Sequence, residues 1–197
     1  MLNSDYRRIP VIDENGKVVH VITFSQVVSL LFKGLNVLSV PWLNRTVSSM
    51  AHIKQLMEKM DKFDSKLDLY DLTGVIQCNK IAKVIEAFRL IIGTHVSAVP
   101  VVDSNNKIMG CVSIRDIRAI SNNASDLKVL YDEDCGTFLK RSGLKLNDIV
   151  VKTEDTFENV IRKFYQTKIH RLWLVDEENV ILGAVTLKNL LNEIVHA

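Results

Sequence analysis

Apolar residues along this chain follow two rhythms. Ala98 to Val102 and Ile108 to Ile114 are short runs, parted by the polar stretch Asp103-Ser-Asn-Asn106. β-Branched runs around turn-forming residues predict two strands and a tight connection. Ser113 stands three residues before Asp116, the spacing of a capping box that opens a helix. The pattern recurs without a gap as RIPVIDENGKVVHVITFSQV from Arg8 and RLWLVDEENVILGAVTLKNL from Arg171. Asp13, Asp103 and Asp176 coincide at the turn, Thr23, Ser113 and Thr186 at the helix-opening hydroxyl, and Gln26, Asp116 and Asn189 one turn later. Three such copies mark a repeat protein.

The second rhythm is helical. From Thr46, a candidate N-cap, to about Phe63 the residues Val47, Met50, Ile53, Leu56, Met57, Met60 and Phe63 fall three or four apart. A methionine stripe can serve as an adaptable binding face, but the spacing is that of a core-facing stripe. Residues 80–92 predict a helix burying Ile81, Val84, Ile85, Phe88, Ile91 and Ile92, ended by Gly93. A helix with Phe157, Val160, Ile161 and Phe164 on its buried side follows Asp155 and Glu158, which have capping-box spacing, and a short strand at 149–152 precedes it. The first copy should run on as an apolar helix through about Phe32, with Gly34 as its stop. A further helix is expected near Thr137 to Arg141, after a loop at 121–125.

The order strand, helix, strand, strand, helix is complete twice. The expected divisions are a partial repeat at 1–40 (strand, strand, helix), a linker with an amphipathic helix at 41–73, a repeat at 74–123, a linker at 124–146 and a repeat at 147–197. The main boundary falls near Thr73-Gly74, after the charged, turn-like stretch 61–71. The first copy lacks the helix that precedes the others, so its apolar face needs cover from a second copy, a partner chain or the helix at 46–63 folded back over it.

Composition narrows the class. The chain has 197 residues, with 25 basic and 23 acidic ones interspersed for a net charge of +2. No basic run points to nucleic acid. Cys78, Cys111 and Cys135 have no metal-ligand spacing, and their odd number speaks against a secreted disulfide framework. Asp5, Arg7, Arg8 and Lys33 interrupt the apolar stretches near the start, which argues against a signal peptide or membrane span. The expectation is a soluble intracellular protein, cytoplasmic or nuclear. No phosphate-binding loop, zinc motif, nucleophile elbow or kinase signature is present, so no catalytic residues are expected.

The stretches IVVKTEDTFENVI and KIHRLWLVDEENVILGAVTLKNLL, in that order of elements, resemble a CBS domain. Arg7-Arg8-Ile-Pro-Val-Ile-Asp13, Val96-Ser-Ala-Val-Pro-Val-Val-Asp103 and Ile169-His-Arg-Leu172 are similar to the second, third and fourth repeats of the gamma subunit of AMP-activated (Snf1-type) protein kinases. The resemblance implies an α/β fold of tandem CBS repeats paired as a Bateman module, preceded by a half repeat. It implies a non-enzymatic regulatory subunit that binds AMP, ADP or ATP, needs no catalytic cofactor or metal, and reports energy charge to a kinase catalytic subunit and a scaffold subunit. A homodimer through the repeats is the alternative assembly, and neither nucleic acid nor membrane is implied as a partner. By the same resemblance Asp116 accepts hydrogen bonds from the ribose hydroxyls. Ser113 and Thr186 lie at helix N-termini beside the ligand, His170 and Arg171 face its phosphates, Arg8 is the second repeat's matching arginine, and Thr153 ends a strand lining the adenine.

Each assignment has a structural rival. Ser113–Asp116, Thr23–Gln26 and Thr186–Asn189 serve equally as helix caps. Arg171 suits a surface salt bridge, and His170 a neutral hydrogen-bonded position. Arg7 replaces the family's histidine, Gln26 and Asn189 lack the carboxylate's charge, and Cys78-Asn79-Lys80 departs from the threonine-bearing strand end. One good nucleotide site, with Asp116 on its ribose, is the expectation. A scaffold that holds partner chains and binds no ligand is the alternative.

Overall fold

Alternation of short apolar runs with turn residues becomes three antiparallel hairpins in the structure, a computed structural model that describes residues 8–37, 40–61, 74–120, 127–143 and 145–196. Their strands are β1 (Arg8–Ile12) and β2 (Val18–Thr23), β4 (Ala98–Val102) and β5 (Ile108–Ser113), and β7 (Arg171–Val175) and β8 (Ile181–Thr186). The coincident aspartates make one turn three times. Asp13 Oδ1 accepts the N–H groups of Asn15 and Lys17, both at 2.9 Å. Asp103 Oδ1 accepts those of Asn105 and Lys107 at 2.8 and 3.0 Å, and Asp176 Oδ1 those of Glu178 and Val180 at 2.9 and 2.8 Å. Gly16, Asn106 and Asn179, at equivalent places, take positive φ of 76°, 59° and 64°, a backbone state that glycine and asparagine enter most readily. The bonds from Lys107 and Asn105 hold the Asp103 carboxyl below its ordinary pKa.

Two more strands complete two of the sheets. β3 (Cys78–Asn79) pairs parallel to β4, giving the order β3-β4-β5, and β6 (Val150–Val151) begins the sheet β6-β7-β8, whereas β1-β2 stays two-stranded. The first hairpin is correspondingly the more exposed. Strands β4 and β7 are buried over four of their five residues, while Ile9, Ile12, Val18, Val19, Val21 and Ile22 of the first hairpin are exposed.

The chain divides into two compact units, the first comprising Met1–Asp61, Val151–Leu172 and Ala184–Ala197, the second Lys62–Val150 and Trp173–Gly183. In the first unit α1 (Phe24–Gly34) packs on α8 (Phe157–Thr167) and α9 (Leu187–Val195). The Phe32 and Tyr165 rings stack at 3.8 Å, and Val28, Phe157, Val160, Ile161, Leu187, Leu190 and Leu191 are buried. The segment before α2 (Ala51–Asp61) is laid against the entry to α8. Val47 N–H donates to Asp155 O, Ser48 N–H to Thr153 O, and Phe157 N–H to Arg45 O, at 2.8–2.9 Å.

That seam overrules the helix expected from Thr46. Thr46 makes no cap, pairs with Thr156 in an antiparallel bridge, and is followed by a 3-10 turn, Val47–Ser49, so α2 begins at Ala51. The buried stripe survives as Val47, Met50 and Ile53. Glu193 supplies what Thr46 does not: its carboxylate accepts the Ala51 N–H at 2.7 Å and pairs with Arg45 at 3.1 Å. At α8 the cap is Thr156, whose hydroxyl accepts from Asn159 N–H. Asp155 instead accepts from Lys152 N–H and pairs with Lys163.

The second unit is built on the β3-β4-β5 sheet, with α3 (Val84–Gly93), α4 (Ile117–Ile120), α5 (Lys128–Asp132), α6 (Cys135–Ser142) and α7 (Leu146–Ile149). Val84, Ala87, Phe88 and Ile91 bury their side chains with Val99, Val101, Val112, Leu130 and Phe138. Ile81 precedes the helix and Ile92 lies on its outer side, 75% and 67% exposed, so both leave the expected buried set. Where one helix was expected near Thr137 to Arg141, two form: α5, and α6 capped by Asp134. The turn of the central copy meets that of the third, with Ile108 N–H donating to Asn179 O and Lys107 paired with Glu178 at 3.4 Å. The boundary at Thr73, the charged stretch before it and the loop at 121–125 lie outside the described residues.

Glu193→Ala should destabilise the chain by about 2 kcal/mol, because it removes a charged hydrogen bond and the Arg45 partner together. Glu193→Gln should keep roughly half, since a neutral acceptor remains; urea unfolding measures both. Burial lowers the pKa of His52 below 6.5 against the opposing bond to Ala184 O and the Glu193 charge. The unfolded chain therefore binds the extra proton first, and stability falls as pH drops from 6.5 through the lower folded value. His52→Gln should flatten that acid limb, read from unfolding midpoints between neutral and mildly acidic pH.

Candidate functional site

The three coincident hydroxyl residues all open helices, and all by one device. Ser113 donates its N–H and its hydroxyl to Asp116 Oδ2, at 2.7 and 3.0 Å. Thr23 does the same to Gln26 Oε1 at 2.8 and 3.1 Å, and Thr186 to Asn189 Oδ1 at 3.0 and 2.5 Å. The backbone N–H of Gln26 and of Asn189 returns a bond to the threonine hydroxyl. The structural reading of these pairs as caps is thus realised in each copy. At the central copy the cap engages Oδ2 alone of a half-exposed carboxylate. Asp116, unlike Gln26 and Asn189, offers charged, acceptor-only oxygens.

The sequence-predicted residues are distributed between the units. Ser113 and Asp116 belong to the second; Arg8, Thr153, His170, Arg171 and Thr186 belong to the first. In the first unit His170 is exposed, with Nε2 at 3.0 Å from Ser25 Oγ on α1, while its carbonyl accepts Leu187 N–H at 3.4 Å. This brings His170 to the openings of α1 and α9, beside Thr186. Arg171 follows as the half-buried first residue of β7. Arg8 starts β1 opposite Thr23 and is exposed. Thr153 donates to Glu154 at 3.1 Å, and its carbonyl receives Ser48 N–H.

Ser25 and His20 were not singled out from sequence. His20 Nε2 lies 3.2 Å from Gln26 Nε2, so the first copy's cap residue is held from both sides. A signal was available between the copies. Ser25 stands where the others have Arg115 and Lys188, and His20 where they have Gly110 and Gly183. At Gly110 an added Cβ would lie 2.7 Å from Leu139 of α6, so that position is glycine because a helix crosses it.

Chemically, the first unit carries hydroxyl, imidazole and guanidinium side chains, of which Ser25 and His170 are in hydrogen-bond contact, and the second carries the Asp116 carboxylate. Among the described residues no group of three or more His, Cys, Asp or Glu side chains could hold a metal ion, and no helix is long and apolar enough to cross a membrane. The sequence pattern of the CBS domain matches residues 1–33, 70–123 and 145–196, more than half of the chain. The chain belongs to the CBS domain family.

CBS proteins similar to it differ in what they are part of. The gamma-3 subunit of 5'-AMP-activated protein kinase from Sus scrofa is 26% identical over 198 residues, covering 99% of this chain and 35% of that protein. Inosine-5'-monophosphate dehydrogenase from Methanocaldococcus jannaschii is 27% identical over 148 residues, covering 75% of this chain and 26% of the enzyme. The chain therefore spans about a quarter to a third of the length of these curated relatives. Among solved structures, a Methanocaldococcus jannaschii protein described as a proposed archaeal homologue of the AMP-activated kinase gamma chain superposes with a TM-score of 0.61 at 16% identity, over 98% of this chain and 61% of that one. CBSX2 in complex with AMP gives a TM-score of 0.50 at 26% identity, over 62% of this chain and 88% of that one.

Thr186→Ala removes the acceptor at the start of α9 and should cost about 1 kcal/mol of stability with no ligand present, measured by urea unfolding. An unchanged midpoint would mean that the hydroxyl does not cap the helix.

Proposed function

We propose that this CBS protein is a regulatory module that binds an adenine nucleotide, and that Asp116 holds the ribose. The observation that carries the reading is the Asp116 carboxylate. It is half-exposed, it is secured through one oxygen by Ser113, and it is charged where the other copies have amides. A carboxylate accepts from two vicinal hydroxyls at once, and charged acceptors make bonds roughly twice as strong as neutral ones. Support comes from the AMP complex of CBSX2 and from similarity to kinase gamma subunits. His170 and Arg171, with Arg8, Thr153 and Thr186, are assigned to the phosphate and base. We extend the reading to a subunit of an AMP-activated or Snf1-type kinase, with the kinase catalytic subunit and a scaffold subunit as partners. A nucleotide regulates such an assembly only by binding its active and inactive arrangements unequally.

Gln26 and Asn189 favour a second reading, in which the fold is a scaffold that holds partner chains without a ligand. Titration calorimetry and thermal shift with AMP, ADP and ATP separate the two. The sensing module predicts saturable binding and a rising melting temperature; at a hundredfold excess over Kd the gain is about 2.7 kcal/mol. Asp116→Asn is the appropriate variant, because Asn189 makes the same cap with an amide. It should leave the free protein's stability nearly unchanged while weakening AMP roughly tenfold. Arg171→Ala should weaken AMP and spare adenosine. Absence of any shift at millimolar nucleotide would establish the scaffold.

A further inference from the structure

Two of the three cysteines meet although 57 positions separate them. Cys78 lies on β3 and Cys135 is the first residue of α6, with 3% and 0% of their surface exposed. Their sulfurs are 3.9 Å apart. The backbone on both sides is already fastened. Cys135 N–H donates to Ala82 O and Gly136 N–H to Lys80 O, both at 2.8 Å, and Val84 N–H donates to Glu133 O at 3.1 Å. Lys83 and Asp134 form an antiparallel bridge, and Lys83 Nζ reaches Asp132 O at 2.9 Å. A Cβ at residue 136 would lie 3.4 Å from Lys80 O and 3.3 Å from Asp134 Oδ1, so glycine suits the close approach. What stands between this pair and a covalent bond is a change in sulfur separation to about 2.05 Å, which side-chain rotation supplies when the backbones are close.

We propose that Cys78 and Cys135 form a reversible disulfide, a redox-dependent staple between the first strand of the central repeat and the helix that follows that repeat. With a peroxide as oxidant the balance is simple. The Cys78 thiolate attacks one peroxide oxygen, the O–O bond breaks, and Cys78 becomes a sulfenic acid as hydroxide leaves and takes up a proton. The Cys135 sulfur then attacks Cys78, the S–O bond breaks, and the Cys135 proton leaves with the hydroxyl as water. Two thiols have lost two electrons, and one peroxide has become two waters.

The environment divides the roles. The hydrogen bond with Cys135 lowers the pKa of Cys78, and the same contact, with burial behind it, raises that of Cys135. Cys78, which keeps 3% of its surface exposed against 0% for Cys135, is the attacking sulfur and Cys135 the resolving one. Cys111, half-buried on β5, takes no part and serves as the internal control.

The test treats the whole chain with hydrogen peroxide, alkylates residual thiols under denaturing conditions, and maps tryptic peptides by mass without reduction. The expected result is one intramolecular Cys78–Cys135 cross-link that dithiothreitol reverses, formed equally in Cys111→Ser. The oxidised monomer should melt several degrees higher, because closing so long a loop restricts the unfolded chain. In Cys135→Ser, Cys78 should proceed to sulfinic acid instead. Full alkylation of both cysteines after peroxide, a cross-link through Cys111 or between chains, or a lower melting temperature of the cross-linked monomer would each overturn the proposal. The wild-type mapping decides the matter even if the serine variant does not fold.

Discussion

Each of the three hairpins in this protein leads into its helix through one small contact, a hydroxyl residue bonded to the side chain three places on. At Ser113, Thr23 and Thr186 the backbone is extended, and the next residue is helical. The bond stabilises that abrupt change by giving free helix N–H groups and the capping side chain mutual partners. It also decides where the third residue points. An aspartate there is held by one oxygen, while an asparagine or glutamine spends its oxygen on the cap and keeps only an amide nitrogen. The argument for a ligand therefore rests on a residue with a structural duty as well. Deleting its side chain would confound the two roles, and removing only its charge separates them.

The exposed first hairpin shows the same logic of paired needs. Strands β4 and β7 are buried, each beside a third strand, whereas among the described residues β1 pairs with β2 alone. In the first unit α1 finds its cover on α8 and α9, through Val28 and the stacked Phe32 and Tyr165 rings. Residues 45–48 complete that unit, since their backbone bonds to 153–157 satisfy polar groups that would otherwise be buried without partners. Arg45 contributes three times there, bonding through its carbonyl to Phe157 N–H, through its guanidinium to Glu193, and over the Phe157 ring at 5.2 Å.

CBS repeats occur here in relatives as different as a kinase subunit and a dehydrogenase. A shared fold does not transfer a function. The reading as a nucleotide module draws its strength from one charged position, and the redox staple is independent of it, resting on a pair of thiols and the backbone that fastens them.

The repeats were legible from the chain alone because their signals are local. An aspartate with a left-handed residue three places later makes a turn, and a hydroxyl followed by a polar residue makes a cap, whatever surrounds them. Buried stripes such as Val84, Phe88 and Ile91, or Val160, Ile161 and Phe164, follow from periodicity in the same way. Tertiary structure decided what depends on a distant partner. Thr46 gave up its cap because the backbone of 153–157 offered its neighbours better bonds, Ala51 found its acceptor in Glu193, Ser25 met His170, and Cys78 met Cys135. Sequence spacing reports torsions and faces, whereas contacts across a hundred residues follow from packing that no local pattern encodes.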